Sequence, residues 1–132
     1  MRISITRLAA FLAAGLFSAG ALAQAKPDPS WPKTLTLGTA SVGGTYFVYG
    51  QVWASLVNEK IGTSISTQQT QGPNQNIILT DERKVDLGMT TMGVALQAWN
   101  GAGEWTKGKK FQNIRATFPM YDTPFHFIAL DK

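Results

Sequence analysis

Three short stretches with strand-like patterns are each followed by a polar loop and then by a segment of helical spacing. The stretches "TLTLGTA", "SISTQQT" and "VDLGMTT" predict strands, and the segments after them predict helices over 46–59, from 73 to about 84 and over 92–100. Two later stretches, 114–121 and 125–132, predict further strands. This alternation predicts an α/β fold with a mostly parallel sheet and flanking helices.

Each predicted helix carries apolar residues at the spacing that places one face of a helix on a core. In the first helix these residues are Tyr49, Val52, Trp53, Leu56 and Val57. The second helix is expected to bury Ile77, Ile78 and Leu79, and the third has Met92, Ala95, Leu96 and Trp99 at helical spacing. We therefore expect Trp53 and Trp99 in the core, with a place in a ligand cleft as the alternative.

The first residues have the pattern of an export signal. Arg2 and Arg7 precede a continuous apolar run over 8–16, and the small-residue sites "ALA" and "AQA" follow it. The run is short and rich in Ala and Gly, which favours a cleaved signal peptide over a membrane anchor. We expect residues 1–23 to be this signal peptide and the protein to be periplasmic. The Pro-rich segment over 24–33 is then a surface leader at the mature N-terminus.

Composition excludes several classes of function. The formal net charge is +4, and the basic residues are scattered apart from "KGKK" at 107–110, which predicts a solvated loop and not a nucleic-acid site. The chain has no cysteine and one histidine, which excludes a disulfide scaffold, thiol chemistry and a zinc centre, and no cofactor is expected. His126 lies inside a predicted strand, and Asp86 is expected to pair with Arg83 or Lys84. Without an acid–base constellation, the chain is not expected to be an enzyme.

The three loops between strand and helix, 39–46, 70–76 and 89–93, hold the candidate binding residues. In an open α/β sheet, ligands bind outside the carboxyl ends of the strands, which is where these loops lie. None of them contains Asp, Glu, Lys or Arg, so they offer hydrogen bonds and the partial positive charge of helix N-termini. This chemistry favours a small carboxylate or a similar anion. The candidate ligand-binding residues are Ser41, Gly43, Gly44, Thr45, Tyr46, Thr70, Gly72, Asn76, Thr90 and Thr91.

The glycines of the first loop do not form a nucleotide motif. Gly38 and Gly43 have the spacing of a phosphate-binding Walker loop, but Gly44 occupies the place of its Lys. No three glycines over 38–50 match the G-x-G-x-x-G pattern of dinucleotide-binding loops. Two interpretations remain: a solute-binding loop, or glycines that only permit a tight turn from strand to helix.

The stretch "LTLGTASVGGTYFVYGQVWASLVNE" resembles the TAXI family, the TRAP-associated extracytoplasmic immunogenic proteins. These are solute receptors of one branch of the tripartite ATP-independent periplasmic (TRAP) transporters. The family pattern G-T-x-x-x-G-x-Y with a further Gly is matched by Gly38, Thr39, Gly43 or Gly44, Tyr46 and Gly50. The pattern T-x-G-S-x-x-N is matched by Thr70, Gly72 and Asn76, with Pro73 in the place of Ser, and D-x-G by Asp86 and Gly88.

Later segments extend the resemblance over nearly the whole mature chain. "AWNGAGEW" is similar to the family's Y-N-G-x-G-x-F, and "NIRATFPMYDTPFHFIAL" resembles the stretch that follows it. The third loop departs from the family, because Thr91, Met92 and Gly93 stand where Gln-Ser-Asp is common.

The resemblance implies a type II periplasmic-binding-protein fold, in which two α/β lobes enclose the ligand. Residues 34–132 are then expected to form the N-terminal lobe, with the second lobe absent. The implied function is a periplasmic solute-binding receptor that captures a small organic anion, such as an amino acid or a carboxylate, and delivers it to the membrane components of a TRAP transporter. An exported protein-interaction or immunogenic domain without a small ligand is the alternative.

Overall fold

The structure is a computed structural model that describes residues 28–122 and 128–129. The predicted signal peptide over 1–23 lies outside the described residues, and so do His126 and most of the predicted strand over 125–132. None of the described helices has the length and apolar character that a membrane crossing requires.

A three-stranded parallel sheet forms the centre of the fold. Its strands are β1 (Thr34–Gly38), β2 (Ser64–Gln68) and β3 (Leu87–Gly88), in the order β2-β1-β3. The predicted α/β class and parallel sheet are confirmed. Strand β3 is shorter than the predicted 85–91, although the Asp86 N–H still donates to the Thr36 carbonyl at 3.1 Å, just before the strand begins.

Three helices connect and flank the strands, as predicted: α1 (Thr45–Ile61), α2 (Pro73–Asp81) and α3 (Met92–Asn100). Helices α1 and α3 end at Gly62 and Gly101, which adopt left-handed conformations with φ of 73° and 67°. A short 3-10 helix, Glu104–Thr106, follows α3.

Helix α2 ends before the predicted Lys84. Arg83 takes a left-handed conformation with φ of 58°, which a helix cannot continue through. The N–H groups of Lys84 and Val85 both turn back to the Leu79 carbonyl, at 2.8 and 3.4 Å. The chain therefore leaves the helix at once and enters β3.

The apolar face of α1 differs from the prediction, which is wrong for Val52 and Leu56. These side chains are 65% and 53% exposed, while Tyr49, Trp53 and the buried Ala54 face the core formed with Leu37, Ile65 and Met89. The small residues of α1 explain why the core-facing side of the helix is rotated relative to the predicted one. A Cβ on the buried Gly50 would lie 2.6 Å from Thr39 Cγ2, so the helix contacts the core along Gly50 and Ala54, and Val52 and Leu56 turn to solvent.

The same error affects α3. Met92 is 83% exposed, Leu96 63% and Trp99 43%, so the prediction that Trp99 lies in the core is wrong. The buried residue of this helix is Ala98, which packs with Ile77 and Phe111 in a second core cluster. The Phe111 N–H donates to the Ala98 carbonyl at 3.0 Å, which holds the returning chain against this side of α3.

The segment 114–121 forms no strand in the described part of the chain, so that prediction is also wrong. It lies along α1, where Phe118 contacts Trp53 with ring centroids 5.6 Å apart, and Tyr121 contacts Tyr49 at 5.2 Å. Pro119 lacks an N–H donor, which disfavours a place in a sheet. The apolar pattern of this segment therefore serves packing on a helix.

Candidate functional site

Three loops meet at the carboxyl edge of the sheet, as the parallel topology requires. Loop one (residues 39–44) follows the central strand β1, loop two (69–72) follows β2, and loop three (89–91) follows β3. Each loop leads into the N-terminus of a helix. In open α/β sheets, this edge is where ligands bind.

One side chain connects all three loops. Asn76 lies in the first turns of α2 and is fully buried. Its amide group donates to the carbonyls of Thr39 and Met89, both at 2.7 Å, and its Oδ1 accepts from the Thr70 hydroxyl at 2.7 Å. The Thr70 hydroxyl in turn accepts from the Gly72 N–H at 3.1 Å. We call Asn76, Thr70 and the two carbonyls of Thr39 and Met89 the Asn76 brace.

Two glycines make room for the brace. A Cβ on Gly38 would lie 2.7 Å from Asn76 Oδ1, and a Cβ on Gly88 would lie 3.1 Å from Asn76 Cβ and 2.7 Å from Thr80 Oγ1. The two distances of 2.7 Å are shorter than real Cβ contacts allow, and the distance of 3.1 Å is tighter than most of them. These glycines at the ends of β1 and β3 are therefore needed for the Asn76 side chain to fit between the strands.

Thr39 belongs to the Asn76 brace, although it is not among the candidate ligand-binding residues. It is fully buried, and its hydroxyl donates to the Gln68 carbonyl at 2.9 Å while its N–H donates to the same carbonyl at 2.9 Å. The signal was present in the sequence, since Thr39 belongs to the G-T pattern at the end of β1. Only the three-dimensional structure shows that Thr39 is buried and that it connects loop one to Gln68 and to Asn76.

Loop one presents an open helix end. Gly43 has a φ of 80°, which favours glycine, and the Gly44 N–H donates to the Ser41 carbonyl at 3.0 Å. Gly44 is the N-cap of α1, and no side chain caps this end. The first-turn amides that follow, starting with Thr45 and Tyr46, are therefore open to solvent or to an anion.

The other two helix ends differ from each other. Helix α2 begins at Pro73 after Gly72, which has a φ of 104°, and again no side chain caps it. Helix α3 is capped, because the Thr91 hydroxyl accepts from the Val94 N–H at 3.3 Å. Two of the three helix ends at this edge thus offer uncapped N-terminal dipoles, with no acidic residue in their first turns.

The candidate residues divide into accessible and buried groups. The accessible or half-buried ones are Ser41, Gly43, Gly44, Thr45, Tyr46, Thr90 and Thr91. Thr70, Gly72 and Asn76 are buried, and the polar atoms of Thr70 and Asn76 are already engaged inside the chain. The exposed Gln69 and Gln71 of loop two are further amide side chains at this edge that were not among the candidates.

An aromatic cluster lies beside loop one. The half-buried ring of Tyr46 meets Tyr121 edge-on with centroids 6.2 Å apart. Burial raises the pKa of the Tyr46 phenol above its ordinary 10.0, and the neighbouring Tyr121 adds to the rise. The phenol is therefore neutral at physiological pH and offers a hydrogen bond without charge. No sequence pattern indicated Tyr121, since its segment was predicted to be a strand.

The three loops themselves contain no charged residue. Asp86 does not pair with Arg83 or Lys84 as predicted; its carboxylate accepts the Thr36 N–H at 2.7 Å and extends the pairing with β1. The predicted solvated loop over 107–110 is exposed, and Lys109 pairs with Asp81 at 3.1 Å. Among the described residues, no three His, Cys, Asp or Glu side chains come together to hold a metal ion.

The residues of the three loops lie within a match to a known protein family. A family model described as the NMT1-like family matches residues 37–132, a range that begins within β1 and includes all three loops. No solved structure matches the chain.

Proposed function

We propose that the chain, which belongs to the NMT1-like family, is a receptor for a small organic anion such as an amino acid or a carboxylate. The family has the periplasmic-binding-protein fold, and the parallel sheet with flanking helices agrees with it. At the coarse level the family indicates periplasmic solute binding, and its members are generally not enzymes. The anionic nature of the solute is the finer part of the proposal.

The observation that carries this part is the pair of uncapped helix ends at the carboxyl edge. Helices α1 and α2 both begin at this edge with first-turn amides that no side chain caps, and loops one to three contain no charged residue. A carboxylate can accept several such amide hydrogen bonds at once, and the helix dipoles favour its charge. A cation has no acidic partner in these loops.

The proposed contacts come mainly from loops one and three. Accessible amides and hydroxyls there belong to Ser41, Gly43, Gly44, Thr45, Tyr46, Thr90 and Thr91, and Gly72 contributes the turn into α2. Because Tyr46 is neutral, it can donate to a carboxylate without placing a second negative charge beside it. Binding without catalysis is expected, and no cofactor is needed for it.

A narrower proposal is that the chain is a TAXI receptor that serves a TRAP transporter in the periplasm after removal of residues 1–23. It is supported by the order of the motifs G-T-x-x-x-G-x-Y, T-x-G-x-x-x-N and D-x-G along the chain. The glycines of the first and third motifs, Gly38 and Gly88, flank the Asn of the second one. The resemblance thus concerns residues that are close in space.

Thermal unfolding with and without ligand tests the anion proposal. The purified protein is heated with succinate, L-glutamate or 1,4-butanediol, the last being an uncharged analogue of succinate. A ligand at about a hundred times its Kd adds about 2.7 kcal/mol to the unfolding free energy, which raises the Tm by several degrees. We expect a rise with at least one of the anions and none with the diol. Equal shifts, or none, would contradict the proposal.

The second candidate function, an exported protein-interaction domain, is favoured by one observation. Val48, Val52 and Leu56 form an exposed apolar row along α1, at a spacing of four residues. Sedimentation that shows association of the wild type, abolished in the V52K/L56K double variant, would favour this function over solute capture.

A further inference from the structure

We infer that Asn76 positions the three loops of the proposed solute site and does not itself touch the solute. The inference rests on the proposed function for the identity of the solute, whereas the positioning role itself is argued from the hydrogen bonds of Asn76. The Asn76 side chain is fully buried, both amide hydrogens go to carbonyls at 2.7 Å, and Oδ1 accepts the Thr70 hydroxyl at 2.7 Å. A solute would have to displace one of these buried hydrogen bonds to reach it.

The brace acts where the loops begin. Thr39 and Met89 come directly after β1 and β3, so the direction of their carbonyls sets the course of loops one and three. Thr70 extends the chain of hydrogen bonds into loop two through the Gly72 N–H at 3.1 Å. Because the hydrogen bonds of all three loops end on one side chain, a displacement of one loop is passed to the others.

The surroundings of Asn76 disfavour the two side chains most similar to it. Glutamine is longer by one methylene, and there is little room for this group because a Cβ on Gly38 would already lie 2.7 Å from Asn76 Oδ1. Aspartate has no donors and would set a carboxylate against the two carbonyls of Thr39 and Met89. The geometry therefore requires a short side chain with two donors and one acceptor.

Amide hydrogen exchange on the full protein, followed by NMR, separates positioning from simple stabilisation. The reporters are the Gly44 and Met89 amides, which donate to the Ser41 and Gly38 carbonyls. In Asn76→Ala we expect both to exchange at least about tenfold faster in native conditions, because the lost bonds no longer oppose local opening. A merely structural role would accelerate only the slow amides of β1 and β2, which exchange by global unfolding.

Asn74→Ala is the matched control. Asn74 is the same residue type in the same helix, two positions away, and exposed. Its replacement should leave the Gly44 and Met89 rates within about twofold of the wild type, as expected for a surface change. If Asn74→Ala accelerated the loops as much as Asn76→Ala, the positioning role would be refuted.

Thr70 variants keep the test decisive if Asn76→Ala does not fold. Thr70→Val removes the hydroxyl that Asn76 Oδ1 accepts from, whereas Thr70→Ser retains it. We expect faster exchange of Met89 in Thr70→Val and a wild-type rate in Thr70→Ser. An unchanged Met89 rate in Thr70→Val would overturn the coupling between loops two and three.

A binding measurement on the same variants separates this inference from the proposed function. If the wild type binds succinate, Asn76→Ala should weaken binding at least about tenfold, since a buried hydrogen bond is worth that much. Asn74→Ala should not. If the wild type binds neither succinate nor L-glutamate, the proposed function fails, while the exchange rates still decide the role of Asn76.

Discussion

Replacing Gly50 with alanine should destabilise the protein, although alanine is the better helix former. Gly50 is buried in the middle of α1. The added Cβ would lie 2.6 Å from Thr39 Cγ2, 3.2 Å from Met89 Sδ and 3.4 Å from Leu37 Cδ2. Thr39 is fully buried and held by two hydrogen bonds to Gln68, so it cannot move aside without loss.

The magnitude follows from two opposing effects. Glycine to alanine in a helix gains up to about 1 kcal/mol of unfolding free energy, whereas forcing a methyl group into a packed core costs about 1–3 kcal/mol. Gly93 in α3 is the matched control, because a Cβ there meets nothing within 4 Å. G93A should therefore stabilise the protein by up to about 1 kcal/mol, and the two variants should differ by about 1–3 kcal/mol.

Urea unfolding monitored by circular dichroism measures both variants against the wild type. A difference of about 2 kcal/mol is well above the error of such curves and corresponds to several degrees in Tm. If G50A were as stable as G93A, the close approach of α1 to loop one would be refuted. The explanation that this close contact turns Val52 and Leu56 toward solvent would then be refuted as well.

Three further outcomes are expected. V52K should change the unfolding free energy by less than about 0.5 kcal/mol, because the side chain is exposed; a loss above 2 kcal/mol in urea unfolding would restore the core-facing prediction. T91A should lower the unfolding free energy by about 1 kcal/mol in the same assay, because it removes the N-cap hydrogen bond to the Val94 N–H. T91S keeps a hydroxyl at this position and should not lower it. The raised pKa of Tyr46 means that the fold favours the protonated phenol, so stability is full below the ordinary pKa of 10.0 and falls as pH rises above it. Y46F should show a shallower alkaline fall in urea unfolding across that range, and identical curves would contradict this.

The order of strands and helices was predictable from periodicity, and so were the loops at the carboxyl edge. The complete core-facing sides of α1 and α3 were not, although Tyr49, Trp53 and Val57 do pack on the core as periodicity predicts. Periodicity weighs large apolar residues, whereas the contacts run along Gly50, Ala54 and Ala98, whose small size lets the backbones approach. Val52 and Leu96 occupy helical spacing that a core would also use, and only tertiary packing shows that they face solvent.

The sequence predicts the place of the three loops, but not the hydrogen bonds that two of the candidate residues make inside the chain. Thr70 and Asn76 were expected to contact a ligand because polar residues at a sheet edge usually do. Their hydrogen bonds to residues 6, 13 and 37 positions away show that they join the loops to each other. Such bonds depend on the register of β1 against β3, which the local sequence does not specify. Tyr121 was missed for a similar reason, since its contact with Tyr46 spans distant parts of the chain.

Two-dimensional NMR during a succinate titration tests the central claim most directly, because it shows where on the protein an anion binds. We predict saturable shifts of the amides in the first turns of α1 and α2, at Thr45, Tyr46 and Gln75, and no such shifts with 1,4-butanediol. Shifts confined to the exposed basic loop over 107–110, or none at the three loops, would contradict solute binding at the carboxyl edge of the sheet.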